Sequence, residues 1–151
     1  MGINKRLKQP ERQTSQKNVE ARLCRAQKPT MVFSFAKITK DNEHNFNCLE
    51  GFKSEAINCT IQLFNKIKVM SSQSWDEFWG QGKKHGPEPI PADVFDQTFI
   101  NNLPFLIAKD EKLYSVRFNG QNSRFILKKG TKCGRVIHLL GIDYKLNLYE
   151  H

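Results

Sequence analysis

One histidine in this sequence stands where it could transfer protons. His138 lies in the middle of an apolar run, Val136-Ile137-His138-Leu139-Leu140. An imidazole titrates near neutral pH, so a histidine held on a strand can serve as a general base or a general acid. The same run is also typical of a core or edge histidine bonded to a backbone carbonyl. His138 is therefore the first catalytic candidate, with a structural role as the alternative.

Two arginines could supply the positive charge that such chemistry needs. Arg117 and Arg124 flank a polar turn, Asn119-Gly120-Gln121-Asn122, and a guanidinium fork fits phosphate oxygens. Cleavage of RNA without a metal requires a base for the 2′-hydroxyl, an acid for the leaving oxygen and cations that stabilise the developing charge. His138 with the two arginines could meet these requirements. The alternative for the arginines is a solvated sheet face.

Other basic side chains are better suited to contacting phosphates than to catalysis. They are Lys128, Lys129, Lys132, Arg135 and Lys145. His85 joins them as a candidate because it follows Lys83 and Lys84 in a connector rich in glycine and proline, although a basic loop is commonly just solvated. All six are predicted nucleic-acid-binding residues.

The charge of the chain is concentrated at its two ends. The net formal charge is +9, with +6 in residues 1–30, −2 in residues 31–100 and +5 in residues 101–151. Basic segments around a near-neutral middle favour a polyanionic partner, because neutralising phosphates releases counterions. We therefore expect RNA or the ribosome as the partner, against the alternative of a merely solvated basic surface.

Several functional classes are disfavoured by composition. No apolar run approaches the roughly 18–20 residues of a membrane span, and residues 1–30 lack the apolar core of a signal peptide. The four cysteines show no CxxC pair, so we predict reduced thiols in a cytoplasmic chain. Their spacing does not suit a zinc site with His44 or His85. We expect no metal, no cofactor and no membrane partner.

The first half of the sequence predicts a flexible arm followed by a strand and helices. Residues 1–30 are rich in Lys, Arg, Gln and Asn and are predicted to form a flexible basic arm. Alternation over residues 31–38 predicts a strand. Apolar residues at steps of three and four predict a helix over residues 49–70. Its expected core-facing stripe comprises Phe52, Ala56, Cys59, Leu63, Ile67 and Met70, widened by Ile57, Ile61 and Phe64.

A second helix and a set of strands follow. Ser74 and Glu77 have the spacing of a capping box, so a short helix should begin there and end at the Gly/Pro-rich connector that follows. Residues 112–127 alternate around the polar turn and predict a hairpin. Residues 134–142 predict a third strand and residues 146–149 a last short one. The fold class is α+β: an N-terminal strand and two helices packed on a small, mainly antiparallel sheet of about four strands, all within one domain over residues 31–151.

The C-terminal sequence resembles a known superfamily. The segments LYSVRFNGQNSRFILKKG and GRVIHLLGIDYKLNLYEH are similar to the hairpin and closing strand of the RelE/ParE-like toxins. The element order over residues 31–151 also resembles theirs. KKHGPEPIP, RVIHLLGID and LYEH are in addition similar to small uncharacterised bacterial and phage proteins, a likeness that implies no function. One position departs from RelE-type ribonucleases, because Asp143 stands two residues after Gly141, where they usually carry a basic residue.

The resemblance implies a toxin-type endoribonuclease that cleaves RNA by metal-free acid–base chemistry, with mRNA at or near the ribosome as the expected substrate. It adds Tyr149 to His138, Arg117 and Arg124 as a catalytic candidate, and it implies a small acidic antitoxin as a partner. The alternative is a non-catalytic protein of the same fold that inhibits a host protein or binds nucleic acid. A DNA-binding module is disfavoured because no helix-turn-helix is readable. Whether the protein is an enzyme therefore stays open from sequence.

Overall fold

A computed structural model describes residues 29–50 and 53–150. The predicted arm lies outside these residues except for Pro29 and Thr30. The helices are α1 (Lys53–Ser71), α2 (Trp75–Trp79), α3 (Gly82–His85) and α4 (Gln97–Asn101). The strands are β1 (Val32–Ser34), β2 (Glu88–Pro91), β3 (Lys112–Phe118), β4 (Ser123–Lys129) and β5 (Val136–Asp143). Short 3-10 turns cover Phe46–Leu49, Ala92–Val94 and Asn119–Gln121.

The α+β class is confirmed, but the described sheet has five strands rather than four. Its order is β1-β5-β4-β3-β2, with β1 parallel to β5 and the other pairs antiparallel. The unexpected strand is β2, which the sequence predicted as part of an extended connector. Pro89 and Pro91 have no backbone N–H to donate to a neighbouring strand. They are tolerated because β2 is an edge strand, and one side of an edge strand makes no hydrogen bonds within the sheet.

The long helix is confirmed over Lys53–Ser71, although Leu49 lies in the preceding 3-10 turn and Phe52 lies outside the described residues. Part of its predicted core face is wrong. Cys59, Leu63 and Met70 are buried against the sheet, as their spacing predicts. Ile57 is 65% exposed, and Ile61 and Phe64 also face outward. The buried stripe of α1 is narrower than predicted, because the strands and loops beneath the helix cover only one side of the helix.

Both faces of the sheet are covered. On one face, α1 and α2 pack over Val116, Phe125, Leu127 and Ile137. On the other, α4 and the segments around it pack over a second cluster. That cluster comprises Ile90, Ala92, Phe95, Phe99, Leu103, Leu113, Ile126, Leu140 and Leu148. The middle of this second face is therefore closed to a ligand as large as RNA.

The short helix α2 begins as its sequence predicts. The Ser74 hydroxyl accepts a hydrogen bond from the backbone N–H of Glu77, and the Glu77 carboxylate accepts one from the backbone N–H of Ser74. These reciprocal bonds satisfy two donors that a helix start otherwise leaves unpaired. None of the helices in the described part of the chain is long and apolar enough to cross a membrane.

The expected last strand at residues 146–149 is wrong. This segment crosses the second face instead, and Asp143 holds it there through hydrogen bonds from the backbone N–H groups of Asn147 and Leu148, at 2.9 and 3.3 Å. Leu148 is buried, and its carbonyl accepts from the backbone N–H of Asp96. Because the Asp143 carboxylate accepts hydrogen bonds from these backbone N–H groups, they do not need a partner on a neighbouring strand.

Candidate functional site

The two candidate arginines form a row with an aspartate across three strands. Arg117 of β3 is the register partner of Arg124 of β4, which in turn pairs with Asp143 of β5. Arg124 is only 7% exposed and Asp143 is fully buried. Opposite charges on neighbouring strands compensate one another at such burial. The residue that departs from the RelE pattern is thus the carboxylate beside Arg124.

Arg117 is compensated in the same way. Its guanidinium lies 3.9 Å from the carboxylate of Glu88, which is also 3.9 Å from the ammonium group of Lys83. The row therefore contains two arginines with two carboxylates close by, although Arg117 shares the Glu88 carboxylate with Lys83. The carboxylates offset most of the positive charge that these side chains could offer to a phosphate. This arrangement is typical of a structural polar network.

Tyr149 belongs to this network. Its hydroxyl donates to Ser115 Oγ at 2.6 Å, and burial raises the pKa of the Tyr149 phenol, with the Ser115 hydrogen bond and Arg124 acting in the opposite direction. Beside it a shallow cavity of about 750 Å³ runs between residues 93–97 and 146–150. Among the described residues, that cavity is lined by Asp93, Asp96 and Glu150 and by no basic side chain. An acidic surface of this kind disfavours a phosphate at Tyr149.

His138 lies at the other end of the strands. Its register partner on β4 is Lys128, four residues from Arg124, a separation of about 13 Å along a strand. Between them Ile126 and Leu140 are buried under Phe99. The structure therefore keeps Arg117, Arg124 and Tyr149 together but does not bring His138 to them.

Instead, His138 lines a basic cavity of about 300 Å³, which we call the lysine cavity. Its lining comprises Lys37, Lys128, Gly130, Thr131, Lys132, Cys133, Val136 and His138. The strands β4 and β5 supply one wall, the tight turn between them another, and the segment after β1 a third. A Cβ on Gly130 would lie 3.0 Å from two backbone carbonyls, so the turn requires glycine.

An aromatic ring holds two of the lysines together. The Lys37 ammonium lies 5.1 Å from the centroid of the Phe105 ring, and that of Lys128 lies 6.0 Å from it. Cation–π attraction positions both groups at the cavity. Burial, with a smaller contribution from the charge of Lys37, lowers the pKa of Lys128. Glu111 forms an ion pair with Lys128 and provides partial compensation.

The remaining predicted nucleic-acid-binding residues do not share one surface. Lys132 lines the lysine cavity, whereas the Lys129 ammonium lies on the opposite face, 5.3 Å from the centroid of a Trp75 ring. The Arg135 guanidinium donates to the carbonyl of Thr30. Lys145 and His85 are exposed at other positions. Only Lys128 and Lys132 of the six join His138.

Sequence reasoning missed two features of this region. Lys37, predicted to lie in a strand, follows the end of β1 at Ser34 and turns into the lysine cavity with Phe105. No local pattern links residues so distant in the chain. A buried His44 is the second, with Nδ1 2.7 Å from Asp41 Oδ2 and Nε2 3.1 Å from Asn147 Oδ1. Through the bond to Asn147, His44 links the C-terminal segment to the loop after β1.

The cysteines differ in state. Cys48 and Cys59 carry free thiols, whereas Cys133 is disulfide-bonded, so the prediction of reduced thiols is wrong for Cys133. Burial, followed by the neighbouring Cys59, raises the pKa of Cys48 to about 12, which makes it a poor nucleophile. Within residues 29–50 and 53–150, no group of three His, Cys, Asp or Glu side chains could hold a metal ion.

Comparison of the chain with family models, curated proteins and solved structures gives no match. Two sites emerge from the chain's own geometry. In the arginine network each arginine has a carboxylate nearby, whereas among the described residues the lysine cavity has three lysines and one carboxylate, that of Glu111.

Proposed function

We propose that this protein binds RNA and that the lysine cavity is where it holds a phosphate group. The observation that carries the proposal is the convergence of Lys37, Lys128 and Lys132 with His138 around one cavity. Of the residues that the structure describes, three lysines line the cavity, and one of them, Lys128, forms an ion pair with Glu111. An anion bound there would relieve the repulsion between Lys37 and Lys128, which gives binding an electrostatic driving force.

The composition and topology support the same proposal. A net charge of +9 attracts polyanions at long range, and the basic N-terminal segment adds to this attraction. Apart from the additional strand β2, a first strand, helices and then a β3-β4-β5 meander is also the element order expected from the resemblance. We infer a RelE/ParE-like domain that works with RNA or the ribosome, with a small acidic antitoxin as a further candidate partner.

A binding experiment tests the cavity. Fluorescence anisotropy with a labelled single-stranded RNA should show binding that weakens with salt. Lys132→Ala should reduce affinity about tenfold, as expected for one lost charge-assisted hydrogen bond. Lys84→Ala, which removes an equal charge from the exposed surface of α3, is the matched control and should have little effect. Equal losses from both variants would show that binding depends on charge alone and not on the cavity.

The second candidate function is the endoribonuclease. It is favoured by the pairing of His138 with Lys128, whose lowered pKa makes its ammonium a better proton donor than an ordinary lysine. In this form the lysines, rather than Arg117 and Arg124, would stabilise the charge that develops on the phosphate. Arg117, Arg124 and Tyr149 would then support the fold.

Cleavage assays separate the enzyme from the binder. RNA is incubated with the protein, with and without ribosomes, and the products are mapped by primer extension. If the nuclease proposal is correct, His138→Ala should slow cleavage about 100–1000-fold while the circular dichroism spectrum is unchanged. Arg124→Ala should act mainly on stability. Intact RNA in every wild-type reaction would refute the enzyme and leave the binder.

A further inference from the structure

We propose that the lysine cavity selects the phosphorylated end of an RNA chain, a phosphomonoester, over the phosphodiesters within it. This inference rests on the proposed RNA binding and specifies its ligand. The ligand chemistry is a terminal phosphate with a nucleoside on one side. The 5′ and 3′ ends share this chemistry.

The charge of the cavity matches a phosphomonoester. Among the described residues, the three lysines of the cavity and the carboxylate of Glu111 leave two net positive charges, without counting His138. A phosphomonoester carries about −1.5 to −2 at neutral pH and offers three acceptor oxygens, whereas a phosphodiester carries a single charge. The diester would leave one ammonium group at the cavity uncompensated. The monoester can accept from three lysines.

The shape of the cavity favours a chain end for an independent reason. Residues of β4 and β5, the turn at residues 130–133 and the segment containing Lys37 bound it on three sides. An internal phosphate must continue into a nucleotide on each side, so it requires a groove with an entrance and an exit. A volume of about 300 Å³ is at the lower limit of small-ligand cavities. A cavity of this size has room for a phosphate and little of the chain beyond it, which favours a chain end.

The arrangement of the lysines also favours a compact dianion. The ammonium groups of Lys37 and Lys128 lie 5.1 and 6.0 Å from the centroid of the same Phe105 ring, and both side chains line the cavity, so the two charges can act on one anion. Binding to the backbone of a long strand instead requires cations spaced along it. The fixed pair can therefore direct several donors to one phosphate.

Three RNAs of identical sequence test the proposal, one with a 5′-phosphate, one with a 3′-phosphate and one with hydroxyls at both ends. Affinities for the full chain are measured by competition against one labelled RNA. We expect one of the phosphorylated RNAs to bind at least tenfold more tightly than the hydroxyl-ended RNA. Lys132→Ala should remove this preference, and Lys84→Ala should preserve it. Inorganic phosphate should displace the preferred RNA.

Other outcomes distinguish the two proposals. If the three RNAs bind equally and Lys132→Ala weakens all of them, the cavity holds internal phosphates, so RNA binding stands and end selection is refuted. If an end preference is present but survives Lys132→Ala, the preference arises elsewhere and the inference fails. If none of the RNAs binds, both proposals fail. Lys37→Ala provides a second cavity variant should Lys132→Ala alter the turn.

Discussion

Replacement of Asp143 by alanine should destabilise the protein strongly. The Asp143 carboxylate is fully buried, accepts hydrogen bonds from two backbone N–H groups and lies opposite Arg124, which is also buried. Removal of one partner from a buried charge pair costs about 3–5 kcal/mol, because the other charge stays desolvated. For a chain of this size the unfolding midpoint should fall by roughly 10–20 °C.

Urea denaturation followed by circular dichroism measures this free energy of unfolding. Asp143→Asn, which keeps an oxygen acceptor but loses the charge, should cost less than Asp143→Ala. Asp143→Lys, which places a basic residue where RelE-type ribonucleases usually carry one, should cost the most because it faces Arg124. Asp110→Ala removes an exposed carboxylate and is the control. If Asp143→Ala stays within about 1 kcal/mol of wild type, the proposed role of this carboxylate is refuted.

Three further predictions follow from packing and ionisation. Leu63→Ala should cost about 2–5 kcal/mol as a buried cavity, whereas Ile61→Ala on the exposed side of α1 should cost under about 1 kcal/mol in the same urea assay. Equal effects would mean that the faces of α1 are wrongly assigned. Gly141→Ala should destabilise by about 1–3 kcal/mol, because a Cβ there would lie 2.5 Å from the Phe99 ring. A stable Gly141→Ala variant would show that Phe99 can move aside. Because the pKa of Cys48 is raised to about 12, its contribution to stability is present below the usual value of 9.0 and is lost as pH rises toward 12. Between pH 8 and pH 11, the thermal unfolding midpoint should thus change less with pH in Cys48→Ala than in wild type. The same change with pH in both proteins would contradict this.

Local patterns in the sequence predicted much of the secondary structure. The spacing of Cys59, Leu63 and Met70 predicted the buried side of α1, and the Ser74–Glu77 pair predicted the start of α2. The polar turn after Phe118 predicted the β3–β4 hairpin. Each of these features depends on residues within one or two helical turns or a few strand positions, so the local sequence is enough to predict it.

The composition of the candidate site was only partly readable from sequence. His138, Lys128 and Lys132 were candidates, but nothing near them in the chain indicated Lys37 or Phe105. The grouping of His138 with Arg117, Arg124 and Tyr149 was a hypothesis that ignored position along the strands. Residues four apart on a strand share a face and still lie about 13 Å apart.

The sequence by itself determined the residue types, the charge distribution and the helix and hairpin segments, because each depends on neighbours in the chain. The tertiary structure decided which charges compensate one another. Sheet register placed Asp143 beside Arg124 and Lys128 beside His138, and an irregularity opposite Ile126 and Leu127 shifted the pairing between those two contacts. Alternation cannot anticipate such a shift, since one additional residue changes which side chains share a face. Packing between distant segments thus places carboxylates near the arginines and gathers three lysines around one cavity.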